Sequence, residues 1–263
     1  MSDVSSKTLL AVDRLGYRYP NGFQALADVS FSIADGEKVG LVGPSGAGKS
    51  TLLLHLNGLL PEKIVAKPDS SPTVCVSGLP VAKANLSEIR RRVGFLFQDP
   101  DDQLFCPTVR EDVAFGPLNL GLPKAEVERR VADSLEAVGL PDFAQRSTLQ
   151  LSVGERKRVC LAGVFACNPA ILVLDEPSSN LDPRARKNLL EILDAFQGSQ
   201  LIATHDLDLI VKLCDRVIVL DEGRIHAIGS PDEVLADAPL MERHGLEVPL
   251  RLTICPTESS RSK

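Results

Sequence analysis

No stretch of this chain approaches the run of about 18 apolar residues needed to cross a bilayer; the purest run starts at Ala170 and meets Asp175. Ser2, Asp3, Ser5 and Ser6 lack the basic-then-apolar order of a signal peptide. Membrane association is therefore expected to come through a partner. Positive charge is not in excess either. With 29 Lys and Arg against 35 Asp and Glu, the formal net charge is −6. That balance argues against a general nucleic-acid binder, and no nucleic-acid partner is expected. The six cysteines (Cys75, Cys106, Cys160, Cys167, Cys214, Cys255) form no C-x-x-C pair and have no histidine at ligand spacing, and the four histidines are dispersed. No Cys/His metal site is expected, and the thiols read as reduced core residues of a cytosolic protein. Internal repeats and low-complexity segments are also missing.

What remains is an ordinary soluble composition, 44% hydrophobic and 24% charged over 263 residues, enough for one domain plus an appendage. Val29, Phe31 and Ile33 alternate with small or polar residues, as in a half-buried strand. Residues 39–42 and 93–97 read as further strands, and residues from Lys49 as a helix. Val127, Val131, Leu135 and Val138 share one helical face, with Gly139 as the stop. Strands recur at 171–174, 201–204 and 217–220, separated by helices, which implies a parallel α/β sheet. A mostly helical insertion is expected at about 98–150. Asp182-Pro183 should open a helix. Ser230-Pro231-Asp232-Glu233 should open another that runs to about Arg243. A turn is expected at Asp69-Ser70-Ser71-Pro72, and a disordered polar tail from Pro256.

Gly43-Pro44-Ser45-Gly46-Ala47-Gly48-Lys49-Ser50 fits the P-loop pattern between a strand and a helix. Its glycines let amide N–H groups and a helix N-terminus face phosphate, Lys49 would reach the β- and γ-phosphates, and Ser50 would ligate Mg²⁺. An apolar strand then ends in Asp175-Glu176. Behind a P-loop, such a pair places one carboxylate on Mg²⁺ and the next beside the attacking water, which favours hydrolysis over mere binding.

Further motifs come in order along the chain. Leu151-Ser152-Val153-Gly154-Glu155 is similar to the signature written LSGGQ, about 20 residues before the paired acids. Gln98 after a strand, Ser179-Asn180-Leu181-Asp182, and His205 after 201–204 complete the set, and from about residue 8 to 230 the chain resembles the ABC ATPase family. The resemblance implies a P-loop α/β core with an antiparallel β-subdomain, a helical subdomain at about 98–150 and a short C-terminal helical extension. The ATPase domain would span 1–229, with a short helix and tail at 230–263. It also implies roles: Glu176 as general base, Asp175 and Ser50 on Mg²⁺, Gln98 on the attacking water and the metal, His205 on the γ-phosphate. Gly43, Pro44, Ser45, Gly46, Ala47, Gly48, Lys49, Ser50 and Thr51 would bind ATP, with Ser152, Gly154, Glu155 and Asp182 completing the site. Tyr19 would stack on adenine, with Tyr17 or Phe23 as the other candidates. Two copies, or this chain and a related ATPase, would dimerise head to tail around two ATP molecules.

The run from Phe97-Gln98-Asp99-Pro100-Asp101-Asp102-Gln103 through Phe115-Gly116-Pro117 is similar to the ATPases of energy-coupling factor (ECF) transporters, as is Gly245-Leu246-Glu247-Val248-Pro249. That narrower resemblance implies import of cobalt, nickel or a vitamin. It also implies a membrane-embedded coupling subunit, a substrate-binding membrane subunit, and a place at the cytoplasmic face of the cell membrane. Asp101 and Asp102 are expected to meet the coupling subunit. The alternatives are a regulatory nucleotide-binding module with little hydrolysis, suggested by Val153, and the ATPase of another ABC importer class. The segment between Gly43 and Leu151 is too short for the coiled coil of a DNA-repair ABC protein. A single cassette argues against a translation factor.

Overall fold

The computed structural model describes residues 7–61 and 73–254. The turn expected at 69–72 and the tail from Pro256 lie outside the described residues. Along the chain, β1 (Thr8–Arg18) and β2 (Gln24–Ala34) form an antiparallel hairpin, with Val29, Phe31 and Ile33 inward as the alternation requires. Strand β3 (Lys38–Val42) runs into the glycine loop and α1 (Lys49–Leu56). Strands β4 (Val74–Val76) and β5 (Leu79–Pro80) return to the hairpin, giving a four-stranded sheet of order β2-β1-β4-β5. Helix α2 (Leu86–Arg92) leads into β6 (Val93–Leu96).

Three helices then pack together: α3 (Val109–Asn119), α4 (Lys124–Ala137) and α5 (Val153–Ala166). Helix α4 buries Val127, Val131 and Leu135. It ends on Gly139 (φ 68°), whose N–H reaches the Glu136 carbonyl while the Leu140 N–H reaches that of Leu135, a Schellman closure.

The chain continues through β7 (Ile171–Asp175), α6 (Pro183–Ala195), β8 (Ser199–Ala203), α7 (Leu207–Leu213), β9 (Arg216–Asp221) and β10 (Arg224–Gly229). The second sheet has the order β10-β9-β3-β8-β7-β6, parallel except at β10. Successive residues of its strands enter two different cores. Leu172, Leu174 and Ile202 face the helices, whereas Ile171, Val173 and Leu201 face α1 and the antiparallel sheet. Burial on both faces is why these strands read as continuous apolar runs. All five residues of β7 are buried, which fixes the direction in which the chain delivers its terminal acids.

The C-terminal segment departs from expectation. In place of one helix to Arg243 there are two, α8 (Pro231–Val234) and α9 (Ala238–Arg243), followed by α10 (Leu250–Ile254). Pro239 has no N–H to continue the first helix, and Asp237 caps a new one by accepting from the Leu240 N–H at 3.1 Å.

Candidate nucleotide site

The loop between β3 and α1 is shaped by backbone that only glycine tolerates at two points. At Gly43 (φ 155°) a Cβ would stand 1.9 Å from the Leu220 carbonyl oxygen. At Gly48 (φ 102°) it would stand 2.6 Å from that of Ala25. Lys49 bends back over its own loop, its Nζ donating to the carbonyls of Gly43 (2.7 Å) and Pro44 (3.1 Å). Burial pushes the Lys49 ammonium below the usual lysine range, and the carboxylates of Glu176 and Asp175 partly offset this.

Strand β7 delivers Asp175 and Glu176 to the loop. Burial raises Asp175 above the usual carboxylate range, and a hydrogen bond from the Ser50 hydroxyl opposes the shift. Its Oδ1 is buried without a hydrogen-bond partner among the described residues. An unpaired buried carboxylate oxygen beside a hydroxyl is an all-oxygen donor set suited to a hard cation, so these residues fit Mg²⁺. Glu176 turns off the strand with φ 46°, a conformation costly for this residue type and held here by its surroundings. Its Oε2 accepts from the Thr204 hydroxyl and the His205 N–H, both at 3.2 Å. Its Oε1 stands 3.2 Å from His205 Nε2 but out of hydrogen-bond alignment, and has no other partner among the described residues. The buried carboxylate is thus half satisfied, with one oxygen left for a ligand.

The cleft these groups line measures about 430 Å³ and gathers residues 45–51 with Gln98, Asp175, Glu176, Ser179 and His205. The aromatic on its wall is Phe23, 57% exposed. Tyr19, the expected adenine platform, is instead 3.0 Å from the Thr51 hydroxyl and edge-on to Tyr17.

Ser152, Gly154, Glu155 and Asp182 do not join this cleft. They line a second one, of about 540 Å³, together with Arg158 and Ala185. Ser152 caps α5, and Glu155 closes a capping box: the Ser152 N–H and hydroxyl reach Glu155 Oε2 at 2.8 and 2.7 Å. Those two bonds pull the Glu155 carboxyl below its usual range. Val153 is the first residue of α5, in right-handed helical backbone with its side chain 37% exposed. No positive φ is needed there. Gly154 is needed for space: a Cβ would lie 2.8 Å from Ala185 Cβ on α6. Asp182 caps α6 by accepting from the Arg184 and Ala185 N–H groups at 2.9 Å.

Three supporting groups escaped the sequence reading. Lys157 on α5, 1% exposed, donates to the carbonyls of Glu176 (3.1 Å), Pro177 (3.2 Å) and Ser179 (2.8 Å) and to the Ser179 hydroxyl (3.0 Å). It ties the helix behind the signature to the backbone of Glu176. Arg186 on α6 grips Asp206, the neighbour of His205, through both carboxylate oxygens at 2.6 and 2.8 Å. Gln103 accepts from the Phe97 N–H at 3.2 Å and donates to the Cys160 carbonyl at 3.4 Å, bracing the turn that carries Gln98. Asp101 is already paired to Arg156, so one of the two acids expected to meet a partner is used inside the chain.

Comparison with known proteins agrees with this geometry. The ABC transporter family profile matches residues 26–179, more than half of the chain. The energy-coupling factor transporter ATP-binding protein EcfA of Methanothermobacter thermautotrophicus is 47% identical over 240 residues, covering 89% of this chain and 75% of that one. Its namesake from Methanocaldococcus jannaschii is 44% identical, covering 89% and 84%. Among solved structures, cbiO1 of Clostridium perfringens, part of the ABC transporter complex cbiONQ, superposes with a TM-score of 0.77 at 34% identity over 94% of this chain and 98% of that one. An ATP-binding cassette dimer in a post-hydrolysis state with ADP and Pi superposes with a TM-score of 0.73 at 27% identity, covering 85% and 99%. This chain belongs to the ABC transporter family as an ATP-hydrolysing subunit of the energy-coupling factor type.

Proposed function

We propose that the chain is one half of a dimeric motor that drives import of a metal ion such as cobalt or nickel, or of a vitamin, from the cytoplasmic face of the cell membrane. Its partners are a second ATPase, identical or related, a membrane-embedded coupling subunit and a substrate-binding membrane subunit. The observation that carries this reading is the division of one catalytic inventory between two clefts with no lining residue in common. Head-to-tail pairing joins the first cleft of one copy to the second cleft of the other.

In that arrangement the loop amides and Lys49 hold the β- and γ-phosphates, drawing Lys49 off its two carbonyl acceptors. Ser50, Asp175 and Gln98 are the residues to hold Mg²⁺, which when bound offsets phosphate charge. Glu176 uses Oε1, which accepts no hydrogen bond among the described residues and lies 3.2 Å from His205 Nε2, to take the proton of the attacking water as the bond to the leaving ADP oxygen breaks. His205, half exposed at the rim, faces the γ-phosphate. Phe23 offers the aromatic surface for the base. The Ser152 hydroxyl and the first N–H groups of α5 in the opposite copy then close over the γ-phosphate.

A shallow groove of about 200 Å³ beside the Gln98 turn suits the coupling subunit. Phe105 and Phe115 stand at its rim, 63% and 46% exposed, meeting edge to face at 4.7 Å. Exposed aromatics in such a pair are anchors for an apolar helix. The test is purification of the tagged chain from detergent-solubilised membranes. Two integral membrane proteins should co-elute with the native chain and be lost with Phe105→Asp, while ATP binding by the variant is retained. A native chain that elutes with no membrane protein refutes the reading.

A further inference from the structure

Two histidines that the sequence leaves far apart meet on the side of the parallel sheet where the chain folds back. Asp221 ends β9, His226 lies on β10, and His244 follows the last residue of α9. One ligand atom from each of the three lies within 4.8 Å of the others. His244 Nδ1 is 2.9 Å from Asp221 Oδ2, His226 Nε2 is 3.2 Å from the Asp221 carbonyl oxygen, and the imidazole centroids are 4.2 Å apart. The cluster is graded in burial: His244 is 7% exposed, Asp221 half-buried, His226 exposed. One wall is thus fixed by the fold and the other is open to solvent.

We propose that Asp221, His226 and His244 form a binding site for one divalent transition-metal ion of the Zn²⁺, Ni²⁺ and Co²⁺ class. Two imidazoles and one carboxylate select such borderline ions over Mg²⁺, which prefers oxygen donors and retains its water. Ligand atoms about 2.0–2.2 Å from a tetrahedral ion stand about 3.3 Å from one another, so no gap here need narrow by more than about 1.5 Å. His226 is the group able to do this, since its exposed side chain on the sheet-edge strand turns without disturbing the core. Each imidazole binds as the neutral ring, through the lone pair of its coordinating nitrogen while the other ring nitrogen keeps the proton. A ring protonated on both nitrogens releases one proton to solvent on binding. Water from the open side fills the fourth position.

The site has a mechanical consequence inside the chain. Asp221 opens a two-residue hairpin turn in which Glu222 (φ 47°) and Gly223 (φ 71°) both take left-handed backbone. The Gly223 N–H donates to the Ala47 carbonyl of the nucleotide loop at 3.0 Å, and the Gly223 carbonyl accepts from the Ala27 N–H at 2.8 Å. An ion held by Asp221, His226 and His244 would staple α9 to this hairpin, two residues from a hydrogen bond to the nucleotide loop.

The test uses the tag-free full-length chain, stripped with chelator and studied without nucleotide, so its outcome is independent of the transport reading. Co²⁺ titration should give one equivalent with the visible absorption of a four-coordinate ion, and Zn²⁺ should displace it while millimolar Mg²⁺ does not. Saturating Zn²⁺ should raise the Tm of the native chain. His226→Ala, on the exposed wall, should fold normally, lose at least tenfold in Co²⁺ affinity and lose the Tm shift; His244→Ala should do the same if it folds. Absence of binding at 0.1 mM Co²⁺, or binding unchanged by His226→Ala, overturns the proposal.

Discussion

Replacing Gly154 by alanine separates two reasons for a glycine in the signature loop. In an isolated helix the change would help, since alanine is favoured over glycine by about 0.5–1 kcal/mol. Here the new Cβ would lie 2.8 Å from Ala185 Cβ, inside the ordinary carbon–carbon separation of about 3.5–4.0 Å. Helix α5 or α6 must therefore yield by about 0.7 Å or more, and overpacking of that kind costs about 1–3 kcal/mol. Ala185→Gly removes the obstruction at about 0.5–1 kcal/mol of helix propensity in α6. The double mutant Gly154→Ala/Ala185→Gly should consequently be more stable than the two single changes sum to, by at least about 1 kcal/mol, in urea unfolding of the nucleotide-free chain. A coupling energy below about 0.5 kcal/mol would show that the α5–α6 contact does not determine the residue.

ATPase activity reports the other reason. Gly154→Val should cost at least about a hundredfold, or about 2.7 kcal/mol of barrier, because in the proposed dimer the larger side chain would also obstruct the approach to the opposite copy's nucleotide. Val153→Gly should change turnover by less than about tenfold, because Val153 already has helical backbone and an exposed side chain. A rise by orders of magnitude in Val153→Gly would mean that the native chain is a poor hydrolase, with its signature loop at fault.

Glu176→Gln should keep ATP binding and lose hydrolysis by at least about a hundredfold in a steady-state phosphate-release assay, since the amide cannot take the proton. Lys157→Met should lower unfolding stability by at least about 2 kcal/mol, as four acceptors around the catalytic segment lose their shared donor, and should reduce kcat more than ATP affinity. Near-native stability in that variant would remove Lys157 from the support of Glu176. Glu126, bound by Arg129 and Arg130, is pulled from the ordinary value of 4.5 down to about 2. Its folded-state value is depressed, so its contribution is complete above about pH 4.5 and is lost as the pH falls towards 2; acid titration of Glu126→Gln should lack that part of the stability decline.

Much of the fold was written locally. The apolar runs of β3, β7 and β8 are continuous because both faces of the parallel sheet are covered, and Gly139 and Asp182 end and begin helices by chemistry confined to one turn. The glycine loop and the Asp175-Glu176 strand end converge because β3 and β7 both run parallel to β8, between them in one sheet. What was not legible in the sequence depended on competition between neighbouring signals or on closure in three dimensions. The Ser230 side chain caps its helix by accepting from the Glu233 N–H, but Pro239 and the Asp237 cap divide the chain between Ser230 and Arg243 into two helices. Which of three nearby aromatics faces the cleft depends on the turn between β1 and β2, and that turn sends Phe23 to the wall and Tyr19 to Thr51. His226 and His244 meet only because the chain doubles back after β10, a return with no periodicity to read.

The signature loop shows how one motif can satisfy two demands at once. A motif is first interpreted by what it does for the ligand, and a glycine there suggests close approach to phosphate. In this chain Gly154 is also the point where α5 crosses the start of α6, and Ser152 and Glu155 are also the cap of α5. The same helix carries Lys157, four and seven residues before the buried Leu161 and Val164, so its ammonium enters the interior on the apolar face and holds the backbone of Glu176. A displacement of the signature loop is therefore a displacement of α5, and α5 is bonded through Lys157 to the backbone of Glu176. In the proposed dimer, closure of the second cleft would thereby be tied to the position of Glu176 in the first.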